Sequence, residues 1–274
     1  MIRRPPRSTQ SRSSAASDVY KRQLQRGIRP REIQIKALEN GIIPKRYERN
    51  MGTVGIEGQI KLLKSKVAII GGGGLGGAII ELLARMGVGA LVIADADEFE
   101  ESNLNRQILL TEDLLGESKV YVAKERVAKV NSAVEVIPYA KRATEDNLPD
   151  MLRGAEVVVD ALDNLPSRFA LERVAKRMGI PLVHGAIAGY IGQVTTILPE
   201  DKGLEAIYGA EEHLGIRGIE TKMGNPAATP MMIASWQVQE VVKLITGVGQ
   251  ILHRRLLYMD AESATIDILE LEGS

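Results

Sequence analysis

The stretch Lys66–Gly77, KVAIIGGGGLGG, decides the fold. Its first five residues form a short apolar run, typical of a strand buried on both faces of a parallel sheet. Glycines then follow in the spacing G-x-G-x-x-G, and Leu75–Met86 has helical periodicity. Glycines let the backbone approach phosphate, while free N–H groups and the helix dipole face it. We therefore predict a nucleotide site containing Gly71, Gly73, Gly74 and Gly76. The spacing alone fits NAD, FAD and ATP equally, and a structural turn is the alternative.

Outward from this stretch, predicted strands and helices alternate along the chain. This pattern predicts an α/β fold, a Rossmann-like and mostly parallel sheet with helices on both faces. The further predicted parallel strands are Ala90–Ala94, Val134–Pro138, Glu156–Asp160 and Ile180–His184. After them we predict a strand in YIGQVTTILP, a crossing loop at 200–225, an amphipathic helix at Thr229–Ile245 and a hairpin of Arg255–Asp260 with Thr265–Leu271. The C-terminal strands are therefore expected to be antiparallel.

Composition excludes several classes of site. The 274 residues include no Cys, which excludes disulfides, thiolate zinc sites and cysteine nucleophiles. No apolar run is long enough for a membrane span. Of 35 basic and 35 acidic residues, seven basic and one acidic lie within 1–26, so the remainder carries 28 basic and 34 acidic residues. This mildly acidic body gives no reason to expect nucleic-acid binding, and we expect a cytoplasmic protein.

Residues 1–26 form an Arg- and Ser-rich leader that imitates an organelle transit peptide. Its run SSAASDVYKRQ, however, resembles translated sequencing-adapter DNA, so we expect this leader to be non-native and disordered. We expect residues 27–65 to form an N-terminal helical segment, with one helix at Arg31–Glu39 and another at Glu57–Lys64. Residues 66–274 are then the nucleotide-binding domain.

Two carboxylates follow the second strand. Asp95 and Asp97 stand where an acid of a βαβ unit accepts hydrogen bonds from ribose hydroxyls. This position favours an adenosine ribose without a 2′-phosphate. We assign Asp95 to the ribose and place Asp97 in the same site.

The next loop, EESNLNRQILL, is unusually polar. Asn103 and Gln107 offer donors to a nucleotide, and Arg106 adds a fork-shaped positive charge suited to phosphate. Ser118 has the place of an N-cap, so Lys119 lies in the first turn of a helix reaching Val130. A lysine there opposes the helix dipole, which is tolerable if an anion also binds there. Lys119 is therefore predicted to be a phosphate ligand.

The fourth strand ends in another polar segment, ALDNLPSR. Asp160, Asp163 and Asn164 lie at the carboxyl edge of the sheet, where ligands of open α/β sheets bind. A carboxylate facing a triphosphate can hold Mg²⁺. Alternatively, Asp163 or Asn164 caps the helix that starts near Pro166. His184 has apolar neighbours in sequence, which favours a hydrogen-bonded structural histidine over a catalytic one.

The motifs together resemble a known family. From about Arg46 to the C-terminus, the chain resembles the ThiF/MoeB/HesA proteins, bacterial relatives of ubiquitin-activating enzymes. The stretches that carry the resemblance are RYERN (46–50), GGGGLGG (71–77), DADEFEESNLNRQ (95–107), GESK (116–119), DALDNLPSR (160–168), GQV (192–194) and ASWQVQEVVKLITG (234–247).

The resemblance implies a reaction and roles for the residues. Such enzymes use ATP and Mg²⁺ to adenylate the C-terminal Gly-Gly carboxylate of a ubiquitin-like sulfur carrier protein, releasing pyrophosphate. Arg106 and Lys119 match residues at the phosphates, and Asp163 matches one that holds Mg²⁺ or orients the phosphates. Arg49 matches an arginine that reaches the active site of a neighbouring subunit, which implies a homodimer. From the residues alone, a solvated face is the preferred interpretation of Arg46 and Arg49.

The chain also departs from the family pattern. Many relatives carry two CxxC pairs that bind zinc, and some carry a cysteine in the crossing loop; this chain has neither, so any sulfur must come from another protein. Between molybdopterin-type and thiamin-type carriers, GNPAATP (224–230) inclines us to the former, in molybdopterin or tungstopterin cofactor synthesis. Three alternatives stay open: activation of a small-molecule or tRNA-linked carboxylate, an NAD-dependent oxidoreductase, and a non-catalytic carrier-binding scaffold.

Overall fold

A computed structural model describes residues 27–211 and 223–271. Its centre is an eight-stranded sheet in the order β3-β2-β1-β4-β5-β6-β7-β8. The first five strands in this order are parallel, and β6, β7 and β8 are antiparallel to their neighbours. The predicted mostly parallel sheet with C-terminal antiparallel strands is confirmed.

The strands are β1 Lys66–Ile70, β2 Ala90–Ala94, β3 Glu135–Tyr139, β4 Val157–Asp160, β5 Leu182–Ala188, β6 Ile191–Ile197, β7 Arg255–Asp260 and β8 Thr265–Glu270. The α-helices of the described residues are α1 Pro30–Glu39, α2 Met51–Lys64, α3 Gly74–Met86, α4 Lys119–Val130, α5 Leu148–Leu152, α6 Leu165–Arg177, α7 Glu205–Tyr208 and α8 Ala228–Thr246. Short 3₁₀ helices span Lys45–Asn50, Glu101–Asn103 and Glu112–Leu114.

The two faces of the sheet bury separate cores. Val67 and Ile69 of β1 belong to a core that also contains residues of α3, α4 and α8. Ala68 and Ile70 belong to a second core with α5 and α6. Successive residues of a strand point to opposite faces, so a continuous apolar strand requires cover on both sides. The predicted helices on both faces are confirmed.

The order of the strands reverses beside β1. From β1 the chain builds β2 and β3 on one side, and then crosses to place β4 on the other side. Helices that follow β1 and β4 therefore lie on opposite faces, which opens a crevice at the carboxyl ends of these strands. The glycine turn after β1 and the segment after β4 meet at this crevice.

Several predicted boundaries need correction. β5 begins two residues later than predicted and extends to Ala188, because its second half pairs with β6 in a hairpin. Helix α2 begins at Met51 rather than Glu57, with a break at Gly55, where φ is 67°. Within the predicted crossing loop, residues 205–208 form α7, whereas 212–222 lie outside the described residues. The predicted leader, 1–26, also lies outside them. No helix in the described ranges is long and apolar enough to cross a membrane.

Candidate active site

The carboxyl ends of the parallel strands surround a cleft of about 620 Å³. The glycine turn, the segment after β2, the start of α4 and the segment after β4 all line it. The predicted site residues that line it are Gly71, Gly73, Gly74, Asp95, Asp97, Asn103, Arg106, Gln107, Lys119, Asp163 and Asn164. Gly76 and Arg49 do not line it.

The glycine turn is closely packed against the protein at Gly71 and Gly76 but has open space at Gly73. Gly71 has a φ of +105°, and an added Cβ would lie 2.4 Å from the Ala161 carbonyl oxygen. A Cβ on Gly76 would lie 1.9 Å from the Gly71 carbonyl oxygen, so Gly76 allows the helix to pack under the turn. A Cβ on Gly73, in contrast, would meet nothing nearer than the Gln107 amide nitrogen at 3.8 Å. The turn thus offers backbone to the cleft, with room above Gly73 for a ligand.

Asp95 ties the second strand to the glycine turn. One carboxylate oxygen accepts from the Gly72 N–H at 2.6 Å, and the other accepts from the Asp97 N–H at 2.8 Å. These bonds fix the carboxylate beside the turn. Each oxygen keeps a further lone pair, so Asp95 can still accept from a ribose hydroxyl.

Lys119 is held at the start of α4 by Asp97. Its ammonium lies 2.9 Å from the Asp97 carboxylate, and the side chains are 7% and 70% exposed, respectively. The Lys119 N–H also donates to the Asp97 carbonyl at 3.2 Å. Ser118 occupies the predicted N-cap position, but its side chain makes no capping hydrogen bond. A largely buried cation therefore lies beside the glycine turn.

The polar loop after β2 brings a second cation to the cleft. Arg106 is half-buried and donates to the Ser102 carbonyl at 3.0 Å and the Asn105 side-chain oxygen at 2.9 Å. Asn103 is buried and forms a capping box with Glu100. Gln107 is buried, and its amide oxygen has no hydrogen-bond partner among the described residues. An unpaired buried amide oxygen that lines a cleft is suited to accept a donor from a ligand.

The segment after β4 separates two residues that the sequence left equivalent. Asn164 caps α6, because its side-chain oxygen accepts from the Ser167 N–H at 3.0 Å. Its amide nitrogen donates to the Asp163 carboxylate at 3.1 Å. Asp163 does not cap the helix and remains exposed in the cleft. Of the two, Asp163 is the residue with a carboxylate available to a metal ion.

Asp160, at the end of β4, is fully buried and does not line the cleft. His184 contacts its carboxylate through Nδ1 at 2.7 Å, and Arg168 lies 3.7 Å away. Burial alone would raise the pKa of Asp160, but Arg168 and His184 outweigh it and lower this pKa below its ordinary value. Burial lowers the pKa of His184 against the opposing effect of Asp160, so the imidazole is neutral. The hydrogen bonds fit the predicted structural histidine.

Arg49 lies far from the cleft of its own chain. It is exposed in the 3₁₀ helix Lys45–Asn50, whose Tyr47 packs against Gly87 just beyond the end of α3. Helix α3 starts at Gly74, which lines the cleft. A helix of 13 residues is about 20 Å long at 1.5 Å per residue. The neighbouring Arg46 donates a hydrogen bond to the side-chain oxygen of Asn131.

Three basic residues of the cleft escaped the sequence analysis. Lys141 and Arg142 follow β3 and line the cleft, as does the buried Arg168 of α6. Lys141 and Arg142 could have been predicted from the sequence, since residues that follow a parallel strand lie at the same edge of the sheet. Arg168 ends the stretch DALDNLPSR, but its direction depends on how the first turn of α6 packs, which the sequence does not show. Among the described residues, no group of three His, Asp or Glu side chains is arranged to hold a metal ion.

Comparison with known proteins identifies the family of this chain. The model of the ThiF family matches residues 47–273. The chain is 38% identical over 224 residues to a SAMP-activating enzyme E1 of Haloferax volcanii, covering 81% of this chain and 83% of that one. It is 35% identical over 228 residues to a sulfur carrier protein adenylyltransferase of Thermus thermophilus, covering 80% of this chain and 84% of that one. A crystal structure of E. coli MccB with ATP has the same fold, with a TM-score of 0.72 at 24% identity, over 84% of this chain and 72% of that one.

Proposed function

The chain belongs to the ThiF family, and on that premise we propose that it is an adenylyltransferase that uses ATP to activate the C-terminal carboxylate of a ubiquitin-like sulfur carrier protein ending in Gly-Gly. The names of two relatives, a SAMP-activating enzyme E1 and a sulfur carrier protein adenylyltransferase, support this activity. The observation that carries it is the meeting of Lys119, Arg106 and Asp163 around the glycine turn in one cleft. A hydride-transfer site would need neither the two cations nor the exposed carboxylate, so the oxidoreductase alternative leaves them without roles.

In this proposal, the cations neutralise phosphate charge. The attacking carboxylate and the α-phosphate are both negative, so their approach needs positive charge already in place. Lys119 and Arg106, which both line the cleft, supply it, and the N–H groups at the start of α3 add to it. Because Lys119 is largely buried, its charge is screened little by solvent. Gln107, with its unpaired amide oxygen, and Asn103 complete this wall of the cleft.

The carboxylates have separate roles. Asp95, fixed by two backbone N–H groups beside the turn, accepts from the ribose, and Asp97 shares that wall. Asp163, exposed in the cleft, would hold Mg²⁺. Mg²⁺ in such sites takes one or two carboxylates plus phosphate oxygens, and Asp163 offers one exposed carboxylate in the cleft. When bound, this ion would supply charge neutralisation at the phosphates.

The chemical step needs no general base. A carboxylate oxygen of the carrier's last glycine attacks the α-phosphorus, a new P–O bond forms, and the bond to the bridging oxygen of pyrophosphate breaks. The nucleophile is already ionised at neutral pH, so no proton has to move. The residues of this chain therefore act by positioning the reactants and by stabilising charge.

Arg49 acts in a homodimer in this proposal. Tyr47, two residues before Arg49, packs against the far end of α3, and that helix is about 20 Å long. Arg49 is exposed and does not line the cleft of its own chain, so in this proposal it contacts the phosphate of a second subunit. We place it there as an additional cation beside Arg106 and Lys119.

ATP–pyrophosphate exchange with candidate carriers tests the function. We expect exchange only when a carrier ending in Gly-Gly is present, and its loss when the last glycine is deleted or blocked by one added residue. Exchange supported by a molybdopterin-type rather than a thiamin-type carrier would also bear out our preference between them. Measurable ATP binding without exchange for any carrier would contradict the proposal and favour a small carboxylate substrate. Absence of ATP binding by the folded protein would favour a scaffold.

A further inference from the structure

Behind the cleft lies a buried polar network that the proposed chemistry does not use. It contains Asp160 of β4, His184 of β5, Gln193 of β6 and Tyr208 of α7, with Arg168 of α6 at its edge. His184 and Asp160 are fully buried. Burial of so many polar groups costs free energy unless every one of them is satisfied.

The hydrogen bonds of the network indicate where the protons of His184 and Tyr208 lie. His184 Nδ1 donates to the Asp160 carboxylate at 2.7 Å, so its Nε2 is left as the acceptor of the Tyr208 hydroxyl at 3.0 Å. The Tyr208 oxygen in turn accepts from Gln193 and from Arg168, the latter at 3.3 Å. Burial raises the pKa of Tyr208, which agrees with a phenol that keeps its proton. The chain therefore runs in one direction, from Tyr208 through His184 to an ionised Asp160.

This network ends on the turn that carries Asp163. The free oxygen of Asp160 accepts from the Leu162 N–H at 2.9 Å, and the Arg168 guanidinium donates to the Leu162 carbonyl through Nε at 3.2 Å. Both polar groups of the Leu162 backbone are thus held by side chains of the network. Leu162 directly precedes Asp163. These two hydrogen bonds to the Leu162 backbone therefore bear on the direction in which the Asp163 carboxylate enters the cleft.

We propose that Tyr208 and His184 are positioning residues, which act through Asp160 and Arg168 to hold the Leu162 backbone and so orient Asp163 in the cleft. The proposal rests on the proposed function only for the consequence in catalysis. The mechanical claim, that removing the Tyr208 hydroxyl loosens the turn at Leu162, holds for the protein without any substrate.

Tyr208→Phe tests the proposal in the full-length protein. The ring and its edge contact with His184 remain, but His184 loses a donor and Arg168 loses an acceptor. In hydrogen exchange without nucleotide, we expect the Leu162 amide to exchange about tenfold faster, as for the loss of one buried hydrogen bond. In ATP–pyrophosphate exchange we expect kcat to fall about tenfold while the Kd for ATP changes less than threefold.

Tyr47→Phe is the matched control, because Tyr47 is also buried and hydrogen-bonded, but to Gln34 and Asn131 at the far end of α3. We expect it to lower Tm without changing exchange at Leu162. Unchanged Leu162 exchange in Tyr208→Phe would overturn the proposal, as would an equal acceleration in Tyr47→Phe. If the wild-type protein shows no pyrophosphate exchange, the proposed function fails, but the Leu162 measurement still decides the positioning role.

Discussion

The ammonium of Lys119 lies 2.9 Å from the carboxylate of Asp97, and this pair joins the start of α4 to the end of β2 beside the glycine turn. The pair holds the cation in a defined place before any phosphate arrives, so little reorganisation is needed at the moment of reaction. Its unequal exposure leaves Asp97 mostly in solvent and Lys119 mostly buried. A phosphate that enters the cleft therefore meets a cation whose position the protein has already fixed.

Lys119→Ala is expected to lower the rate of pyrophosphate exchange by roughly 10²-fold or more, because a preorganised cation at the phosphates is lost. The same change at Lys124, exposed on the same helix, controls for altered helix propensity and net charge. Near-wild-type exchange in Lys119→Ala, with the fold intact by circular dichroism, would remove the phosphate role. Arg106→Ala is expected to behave like Lys119→Ala.

Asp163→Asn keeps the side-chain volume and removes the charge. We expect exchange to fall by roughly 10²-fold and the Mg²⁺ concentration for half-maximal rate to rise, because the proposed carboxylate ligand of the metal is lost. Titration of the rate with Mg²⁺ measures both effects. Asp150→Asn, an exposed carboxylate of α5, is the control. An unaltered Mg²⁺ requirement in Asp163→Asn would show that the metal is held elsewhere.

Arg49→Ala and Asp163→Ala proteins are each expected to be inactive, yet a mixture of the two should regain activity. In a hybrid dimer, one cleft receives an intact Arg49 from its partner and keeps its own Asp163. With random mixing, about a quarter of all clefts are complete. Lys45→Ala, at the first residue of the same 3₁₀ helix, should leave the protein active without a second variant. Mixed dimers that form, as judged by a tag on one protein, but stay inactive would argue against action across the interface.

Gly76→Ala should unfold the turn although Gly76 does not line the cleft. An added Cβ would lie 1.9 Å from the Gly71 carbonyl oxygen, so either the helix or the turn must shift. We expect a loss of about 2 kcal/mol in the free energy of unfolding, as for an overpacked core site. Gly52→Ala, where an added Cβ meets nothing within 4 Å, should instead gain about 0.5 kcal/mol. Urea denaturation of both variants measures the difference, and equal stabilities would contradict the packing role.

The buried network predicts how stability depends on pH. His184 has a pKa lowered from 6.5 in the folded state, so below this pH the unfolded chain binds a proton that the folded protein excludes. The free energy of unfolding must then fall as pH falls, by at most about 1.4 kcal/mol per pH unit from this one group. The lowered pKa of Asp160 adds a second loss below 3.8.

His184→Gln removes the imidazole whose protonation causes the first of these two losses of stability. Urea denaturation between pH 7 and pH 5 is expected to show a smaller pH dependence for this variant than for the wild-type protein. Its stability at pH 7 should be lower, because a neutral hydrogen-bonded side chain has been replaced. An unchanged slope between pH 7 and pH 5 would mean that His184 is not held neutral by burial.

The sequence by itself determined the strand–turn–helix unit and the fold class. A buried apolar run, glycines at fixed spacing and helical periodicity are local features, and they specify local structure wherever they occur. β1 and β2 were predicted at their observed bounds for this reason. The cleft residues after β1, β2 and β4 could also be predicted, because the carboxyl ends of parallel strands share one edge.

Only the tertiary structure decided which of these polar residues are free and which are engaged. Asp160, Asp163 and Asn164 look alike in sequence, yet one is buried against His184, one faces the cleft and one caps α6. These fates depend on β4 and β5 lying side by side and on α6 packing over their ends, which are contacts between residues distant along the chain. The separation of Arg49 from its own glycine turn has the same origin, since it follows from the length of α3 and from where Tyr47 packs against its far end. Side-chain type fixes what each group can bind, whereas long-range packing fixes what it does bind.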